Sequence, residues 1–283
     1  MTEASPSRLA WRRLRRHHSA LLGLVIVSVE IVISLLAPYF IPPDLALRPQ
    51  PSIILQSPSR AHLLGTDEAG RDILARLVYA GRVSLAVGVL AAVVSVLVGT
   101  TLGAAAGFYG GWVDTVIMRF TDALLSIPVL FFVIALTVLL GPNPYTLIIV
   151  IGVLSWMELA RILRANVLSL REREFTECAR AIGVRDPAII VRHILPNTIA
   201  PIIVAGTLGV GHAMLAEAAI SYLGLGVQPP NPSWGNMLYN AQSYLWQAPS
   251  VALYPGLMIA LTVLSINFVG DGLRDALDAR MTL

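Results

Sequence analysis

The stretch FTECARAIGVRDPAIIVRHILPN, residues 175–197, is a charged and regularly patterned segment inside a strongly apolar chain. Its first eight residues suit a short helix, and Gly183 is placed to end that helix in the left-handed conformation. Asp186 is predicted to cap a second helix, with Pro187 at the first helical position. Pro196 lacks a backbone N–H, so it should disturb this helix where the next apolar run begins. The stretch therefore predicts a compact helix–turn–helix unit that leads directly into a long apolar segment.

The rest of the chain has the composition of a membrane protein. Its mean hydropathy is +0.73, 56% of its residues are hydrophobic and only 13% are charged, which is about half the charged share of a soluble domain. Six segments are long and apolar enough to cross a bilayer. They are predicted at residues 19–40, 84–106, 116–140, 145–163, 198–223 and 251–269. Small residues, concentrated at 99–107 and 204–219, predict close helix contacts. The sequence therefore predicts an all-α polytopic membrane protein.

The distribution of arginine predicts the orientation of the chain. Five Arg lie within residues 8–16 and six within 164–196, whereas the loops at 141–144 and 224–250 carry no charged residue. We therefore expect both termini and the 164–196 loop to be cytoplasmic. The loop at 41–83 is expected to be external, although its five Arg against four acidic residues weaken that assignment.

The predicted organisation has five parts. They are a cytoplasmic N-terminus at 1–18, a first span at 19–40, an external loop at 41–83, a five-helix core at 84–270 that includes the coupling loop 164–196, and a cytoplasmic tail at 271–283. Within the external loop, GTDEAGRDILARLVYAGRVSL predicts an amphipathic helix that begins near Thr66 or Asp67 and lies at the membrane interface. Its polar face is expected to contain Asp67, Glu68, Arg71, Asp72 and Arg76.

Several functions are excluded by what the chain lacks. All 20 basic residues are Arg, and a P-loop needs a Lys that reaches the phosphates. The chain is therefore not expected to be an enzyme with its own ATPase site. Cys178 is the single cysteine, which excludes an intramolecular disulfide and a cysteine-based metal site. The Arg clusters flank apolar runs, so we expect no nucleic acid partner.

Ionisable residues inside the predicted spans allow two interpretations. Glu217 and His212, and with less support Glu30, suit the proton relay of a secondary transporter. We prefer the alternative that they make polar packing contacts within the bundle. Two pairs at i,i+3 spacing are predicted to be structural ion pairs, namely Glu158 with Arg161 and Arg119 with Asp122. Trp234 and Tyr239 are predicted to be interface anchors in the external loop at 224–250.

The 175–197 segment carries a resemblance to a known family. Its caps and apolar content favour docking to another protein over a hairpin that merely joins two spans. The order Glu177-Cys178-Ala179, three residues, Gly183, nine residues and then HILP resembles the EAA loop of ABC importer permeases. Cys178 replaces the middle Ala of that pattern, and His193 replaces its Ile. Four further segments resemble the peptide and nickel branch of the family and extend the likeness from about Gly65 to the C-terminus. They are GTDEAGRDILARLVYAGRVSL, GFYGGWVDTVIMRFTDALLSIP, SYLGLGVQPPNPSWGNML and NFVGDGLRDALDAR.

This resemblance implies a type I ABC importer permease fold with six transmembrane helices and a cytoplasmic coupling helix, in the bacterial inner membrane. It implies the second, C-type permease of a dipeptide or oligopeptide importer. The implied partners are a second permease, two ATPase subunits or one fused ATPase, an external substrate-binding protein and the lipid bilayer. ATP and Mg²⁺ are expected on the ATPases, and no cofactor or metal in this chain. The implied coupling residues are Glu177, Cys178, Ala179, Arg180, Ala181, Ile182, Gly183, Asp186, Pro187 and Pro196. No catalytic residue is expected.

Three alternatives stay open from the sequence. The same machinery could import nickel or another small solute. A proton-coupled secondary transporter would use Glu217 and His212, and a passive scaffold or channel would need neither. Neither of the last two classes accounts for the capped segment in the cytoplasmic loop.

Overall fold

The computed structural model describes residues 11–277 as a bundle of helices. Its helices are α1 (His18–Phe40), α2 (Pro43–Leu47), α3 (Ile73–Tyr109), α4 (Gly111–Leu125), α5 (Val129–Leu140), α6 (Pro144–Leu154), α7 (Met157–Arg171), α8 (Glu174–Ala181), α9 (Asp186–Ile189), α10 (Ile199–Tyr222), α11 (Trp234–Ala241) and α12 (Ser250–Leu277). Within residues 11–277, five helical segments are long and apolar enough to cross a membrane, and a bent pair, α4 with α5, makes six if it counts as one span. The prediction of an all-α polytopic protein is confirmed.

The third predicted span is not one straight helix. Residues 116–140 fall on α4 and α5, which meet at an angle of 86°. Pro128 lacks an N–H and also disfavours helical geometry at the preceding Ile127, so the helix breaks here. The predicted apolar segment therefore consists of two helices joined at a break that average hydropathy does not reveal.

The external loop and the second span also differ from the prediction. The helix begins at Ile73 rather than near Thr66 or Asp67, and Asp72 caps it by accepting a hydrogen bond from the backbone N–H of Ala75 at 2.8 Å. It then runs without a break for 37 residues, a length of about 55 Å. A separate interfacial helix is therefore absent from this part of the described chain.

The charged residues before and inside this helix point into the protein. The side chain of Asp67 is bonded by Arg71 at 2.8 Å and by Arg76 at 2.9 Å, and Arg71 also bonds Glu68 at 2.6 Å. Asp67 and Arg76 are only 2% and 3% exposed. Burial raises the pKa of Glu68, with the charge of Asp67 adding to the effect and Arg71 opposing it. The predicted polar face is thus a buried ion-pair network at the N-terminal end of α3.

Glycines bring α3 and α7 into close contact, as their spacing predicted. An added Cβ would lie 2.9 Å from the carbonyl oxygen of Trp156 at Gly99, 2.6 Å from that of Ala160 at Gly103, and 2.7 Å from that of Arg164 at Gly107. Both sets of residues repeat every four positions, so one glycine ridge faces one backbone ridge. The N-terminal half of α7 is therefore held tightly against α3.

The loop at 224–250 contains α11, which packs on α10 and α12. Ser233 and Asn236 form a capping box at its start. Trp234 is 1% exposed and donates from Nε1 to the carbonyl of Leu77 at 3.0 Å. The prediction that Trp234 anchors at the membrane interface was wrong, because the indole is a core residue. Tyr239 is 49% exposed.

The last helix extends beyond the predicted boundary between the core and the C-terminal tail. Helix α12 packs on α1 and α10 and continues to Leu277, beyond the predicted end of the core at residue 270. Residues 1–10 of the predicted N-terminal part and 278–283 of the predicted tail lie outside the described residues.

Candidate functional site

The first half of the 175–197 segment is a capped helix, α8. The hydroxyl of Thr176, which is fully buried, donates to the carbonyl of Leu170 at 2.8 Å and ties the start of α8 to the end of α7. Gly183 ends the helix with a φ of +81°. The N–H of Gly183 bonds the carbonyl of Arg180, and the N–H of Val184 bonds that of Ala179, which is the Schellman pattern. The predicted left-handed cap at Gly183 is confirmed.

The second half differs in one detail from the prediction. Arg185, not Asp186, occupies the N-cap position of α9, and no side chain caps this helix. The prediction for Asp186 was wrong, while Pro187 does lie in the first turn. Helix α9 continues through a π-helical turn at Ile190–Ile194 and a 3₁₀ turn at Leu195–Thr198 before α10 begins. The disturbance expected at Pro196 is confirmed.

A buried cluster attaches this segment to the membrane helices. Its members are Ala104 and Phe108 of α3, Val167 of α7, and Ala179, Ile189 and Ile194 of the segment itself; we refer to it as the base cluster. Ile189, Ile194 and Val167 are completely buried. Each buried aliphatic side chain contributes roughly 2 kcal/mol, so the cluster holds the segment firmly on the ends of α3 and α7.

Two arginines reinforce this attachment. The guanidinium carbon of Arg180 lies 5.0 Å from the ring centroid of Phe108, a cation–π contact. Arg171 donates from Nη1 to the carbonyl of Phe108 at 3.1 Å. The last turn of α3 is thereby joined to α7 and α8 through a single phenylalanine. Sequence reasoning missed Phe108, because it lies about 70 residues before the segment and no local pattern marks it.

The opposite side of the segment is open. Ala179 points into the base cluster, whereas the other nine predicted coupling residues are exposed. Ile182 is 80% exposed at the turn and Val191 is 61% exposed further on. Aliphatic side chains this exposed, on a rigid and charged surface, are typical of a protein-binding site.

The ionisable residues inside the spans make packing contacts. Glu217 is completely buried, and its two oxygens accept hydrogen bonds from Ser84 at 3.0 Å and Ser221 at 2.7 Å. The hydroxyl of Ser84 also accepts from the backbone N–H of Trp234 at 3.2 Å. Glu217 therefore anchors α11 to α3 and α10. Glu30 of the first span accepts a hydrogen bond from the hydroxyl of Thr262 in α12 at 2.8 Å.

His212 differs from these two residues. It is exposed on α10 and lines a cavity that also contains Glu158. The preferred interpretation of a packing contact therefore holds for Glu217 and Glu30. It was wrong for His212, whose exposed side chain lines a cavity.

The structure does not form the two predicted i,i+3 ion pairs and instead pairs one member of each. Arg161 of α7 bonds Asp122 of α4 at 2.5 Å, so neither pairs within its own helix. Arg164 forms a second bridge from α7 to α4, donating through Nη2 to Asp114 at 2.6 Å. The pairs Glu158–Arg161 and Arg119–Asp122 were wrong, because an antiparallel neighbour offered better partners than the next helical turn.

The chain matches two known sequence families over parts of its length and several proteins over nearly all of it. Residues 99–283 match the binding-protein-dependent transport system inner membrane component, and residues 5–58 match the N-terminal TM domain of oligopeptide transport permease C. The chain is 44% identical to the dipeptide transport system permease protein of Alkalihalophilus pseudofirmus over 280 residues, which cover 99% of this chain and 92% of that protein. It is 40% identical over 277 residues to the glutathione transport system permease protein of Pectobacterium atrosepticum, covering 98% and 92%. The glutathione transport system permease protein of Escherichia coli is 41% identical over 271 residues, covering 96% and 89%.

Proposed function

This chain belongs to the family of inner membrane components of binding-protein-dependent transport systems, and we propose that its 175–197 segment is the surface through which cytoplasmic ATPases drive it. The observation that carries this proposal is the two-sided construction of the segment. One side is buried in the base cluster on α3 and α7, and the other side exposes Ile182 and Val191. A surface built in this way can receive a displacement from a partner and pass it to the spans.

The mechanism needs rigidity and no reactive group. Closure of the ATPases on ATP would push the exposed side, and the Schellman turn at Gly183 would keep α8 and α9 moving as one body. The motion reaches α3 through Phe108 and α10 through the continuous path from α9. The spans then alternate between inward-facing and outward-facing arrangements. Hydrolysis takes place on the ATPase subunits, which bind ATP and Mg²⁺.

Peptides are the proposed cargo. The relatives quoted above are named for dipeptide and glutathione transport, and both of these solutes are short peptides. Nickel is not favoured by these relatives. The geometry of Glu217 argues against the proton-coupled alternative, since both of its oxygens accept hydrogen bonds from buried serines, Ser84 of α3 and Ser221 of α10.

The proposed assembly contains a second permease, two ATPase subunits or one fused ATPase, and an external binding protein that delivers the peptide. Both termini and the 175–197 segment are placed in the cytoplasm. The Arg residues near the N-terminus and in the 164–196 loop support this orientation, as do the uncharged loops at 141–144 and 224–250.

Cross-linking from Cys178 tests the docking proposal. Cys178 is the single cysteine of the chain and is exposed on α8, so a maleimide–benzophenone reagent attaches at one place. In the complete importer, light should join this chain to an ATPase subunit. The matched control carries Tyr145→Cys in a Cys178→Ala background, because Tyr145 is 78% exposed at the external end of α6. Cross-links to the ATPase from residue 145, or none from Cys178, would contradict the proposal.

Uptake in proteoliposomes tests the cargo. Vesicles that contain the complete importer and internal ATP should accumulate radiolabelled alanyl-alanine when loaded binding protein is added outside. Nickel ions tested in the same way should not accumulate. Accumulation of peptide by this chain alone, driven by a proton gradient, would show that the secondary-transporter alternative is correct.

A further inference from the structure

A cavity with a mainly apolar wall lies between the helices of the bundle. Its volume is about 350 Å³, and its walls come from α3, α7, α10 and the α4–α5 junction. Much of the wall consists of small residues, including Ala91, Ala92, Gly206 and Gly209. A space of this size lies within the range of small-molecule sites.

Two ionisable side chains line this cavity, Glu158 from α7 and His212 from α10, together with Ser95 and Ser155. Within residues 11–277, neither Glu158 nor His212 has a hydrogen-bond or ion-pair partner. Arg161, the neighbour expected to neutralise Glu158, bonds Asp122 instead. Because Arg161 pairs with Asp122, the carboxylate of Glu158 is left without an ion-pair partner among the described residues and faces the cavity.

Glu158 and His212 both lie within segments that are long and apolar enough to cross a membrane. Glu158 lies within the Pro144–Arg171 segment, five residues before the predicted end of its apolar run at residue 163. His212 lies thirteen residues into α10, or about 20 Å along it. A carboxylate inside a membrane-spanning segment, such as that of Glu158, is unfavourable against lipid and indicates a water-filled path or a cationic partner.

We propose that Glu158 and His212 form a subsite on the transport path that binds the protonated α-amino group of the peptide. This inference rests on the proposed peptide cargo and adds the group of the cargo that the permease recognises. The carboxylate of Glu158 pairs with the ammonium group, and a ring nitrogen of His212 accepts a second hydrogen bond from it. The small residues of the wall leave room for the peptide backbone.

Competition binding tests this subsite. The purified complex of both permeases and the ATPases, without the binding protein, is incubated with radiolabelled alanyl-alanine. Unlabelled alanyl-alanine and N-acetyl-alanyl-alanine then compete for the site. The wild-type complex should prefer the free amine by about tenfold, since a hydrogen bond to a charged group is worth about one decade of affinity or more. Glu158→Gln should abolish this preference, Glu158→Asp should restore part of it, and His212→Ala should reduce it.

Glu30→Gln is the matched control, because it removes another carboxylate from a span without touching the cavity. It should retain the wild-type preference. Equal affinity for both competitors in the wild type, an unchanged preference in Glu158→Gln, or failure of Glu158→Gln to assemble with the second permease would each overturn the subsite. The last result would assign Glu158 to a contact between permeases. Failure of the wild type to import peptide in the proteoliposome assay would instead reject the cargo, so the two proposals fail in distinguishable ways.

Discussion

Substitutions at Gly183 distinguish the effect of backbone strain on folding stability from the effect of side-chain size on docking to the ATPase. Gly183 has a φ of +81°, and an added Cβ would meet no atom within 4 Å. Any L-residue with a side chain is strained here by roughly 1–2 kcal/mol, with Asn the most tolerant. The chain itself offers no steric obstacle to a larger side chain. Gly183→Ala and Gly183→Trp should therefore lose similar amounts of folding stability.

The two variants should differ strongly in transport. A methyl group at Gly183 adds little to the exposed turn, whereas an indole projects from the surface that we propose docks against the ATPase. Gly183→Ala and Gly183→Asn should keep most of the uptake, and Gly183→Trp should lose about tenfold or more, as expected when docking is weakened by about 1.4 kcal/mol. ATP hydrolysis by the Trp variant should no longer respond to loaded binding protein.

Three measurements on each variant decide the outcome. They are the thermal unfolding midpoint of the purified chain, the ATPase rate of the complex with and without loaded binding protein, and the peptide uptake rate in proteoliposomes. Equal uptake losses in Gly183→Ala and Gly183→Trp would show that strain, not docking, is the cause. Wild-type uptake per ATP in Gly183→Trp would refute the coupling assignment altogether.

Three further predictions concern the bundle. Asp67→Asn leaves the buried guanidinium of Arg76 without its anion and takes one of two anions from Arg71, so it should destabilise the chain by about 3–5 kcal/mol, measured as a lowered unfolding midpoint in detergent. Gly103→Leu should prevent close packing of α3 on α7 and destabilise by about 1–3 kcal/mol or more, whereas Gly256→Ala, whose Cβ would find its nearest neighbour at 4.0 Å, should be nearly neutral in the same assay. The pKa of Glu68 is raised above its usual 4.5 in the folded chain, so the native state binds this proton more tightly than the unfolded state does. The stability that this group contributes should therefore fall as pH rises from 4.5 through the raised pKa. Glu68→Gln should remove that part of the pH dependence of the unfolding midpoint, and an identical pH profile in the variant would contradict this prediction.

The features that sequence predicted well depend on local chemistry. Apolar runs identify spans because lipid requires them, and glycine after a short helix identifies a left-handed cap because other residues are strained there. The spacing of Glu177, Gly183 and the HILP motif was sufficient to indicate the family, which the matched sequences confirm. Each of these signals lies within a short window of the chain.

The features that sequence missed depend on tertiary partners. Asp67 and Arg76 were expected to face solvent, since a sequence pattern separates polar from apolar faces without stating which neighbour covers them. Arg161 pairs with Asp122 on a neighbouring helix rather than with Glu158 on the previous turn of its own helix. Only the antiparallel packing of α4 on α7 reveals this pairing. Phe108 joins the base cluster from a distant point of the chain.

The cavity and the 175–197 segment are connected by one helix. Glu158 lies in the first turn of α7 and Arg171 at its end, thirteen residues later, a separation of about 20 Å. Along this length α7 is fixed to α3 by the glycine contacts and to α4 by the Arg161 and Arg164 bridges, and it meets the base cluster through Val167. A helix fixed on two sides moves as a rigid rod rather than bending. We therefore infer that a displacement received by the 175–197 segment reaches the wall of the cavity through α7, so that ATP-driven closure and exposure of Glu158 change together.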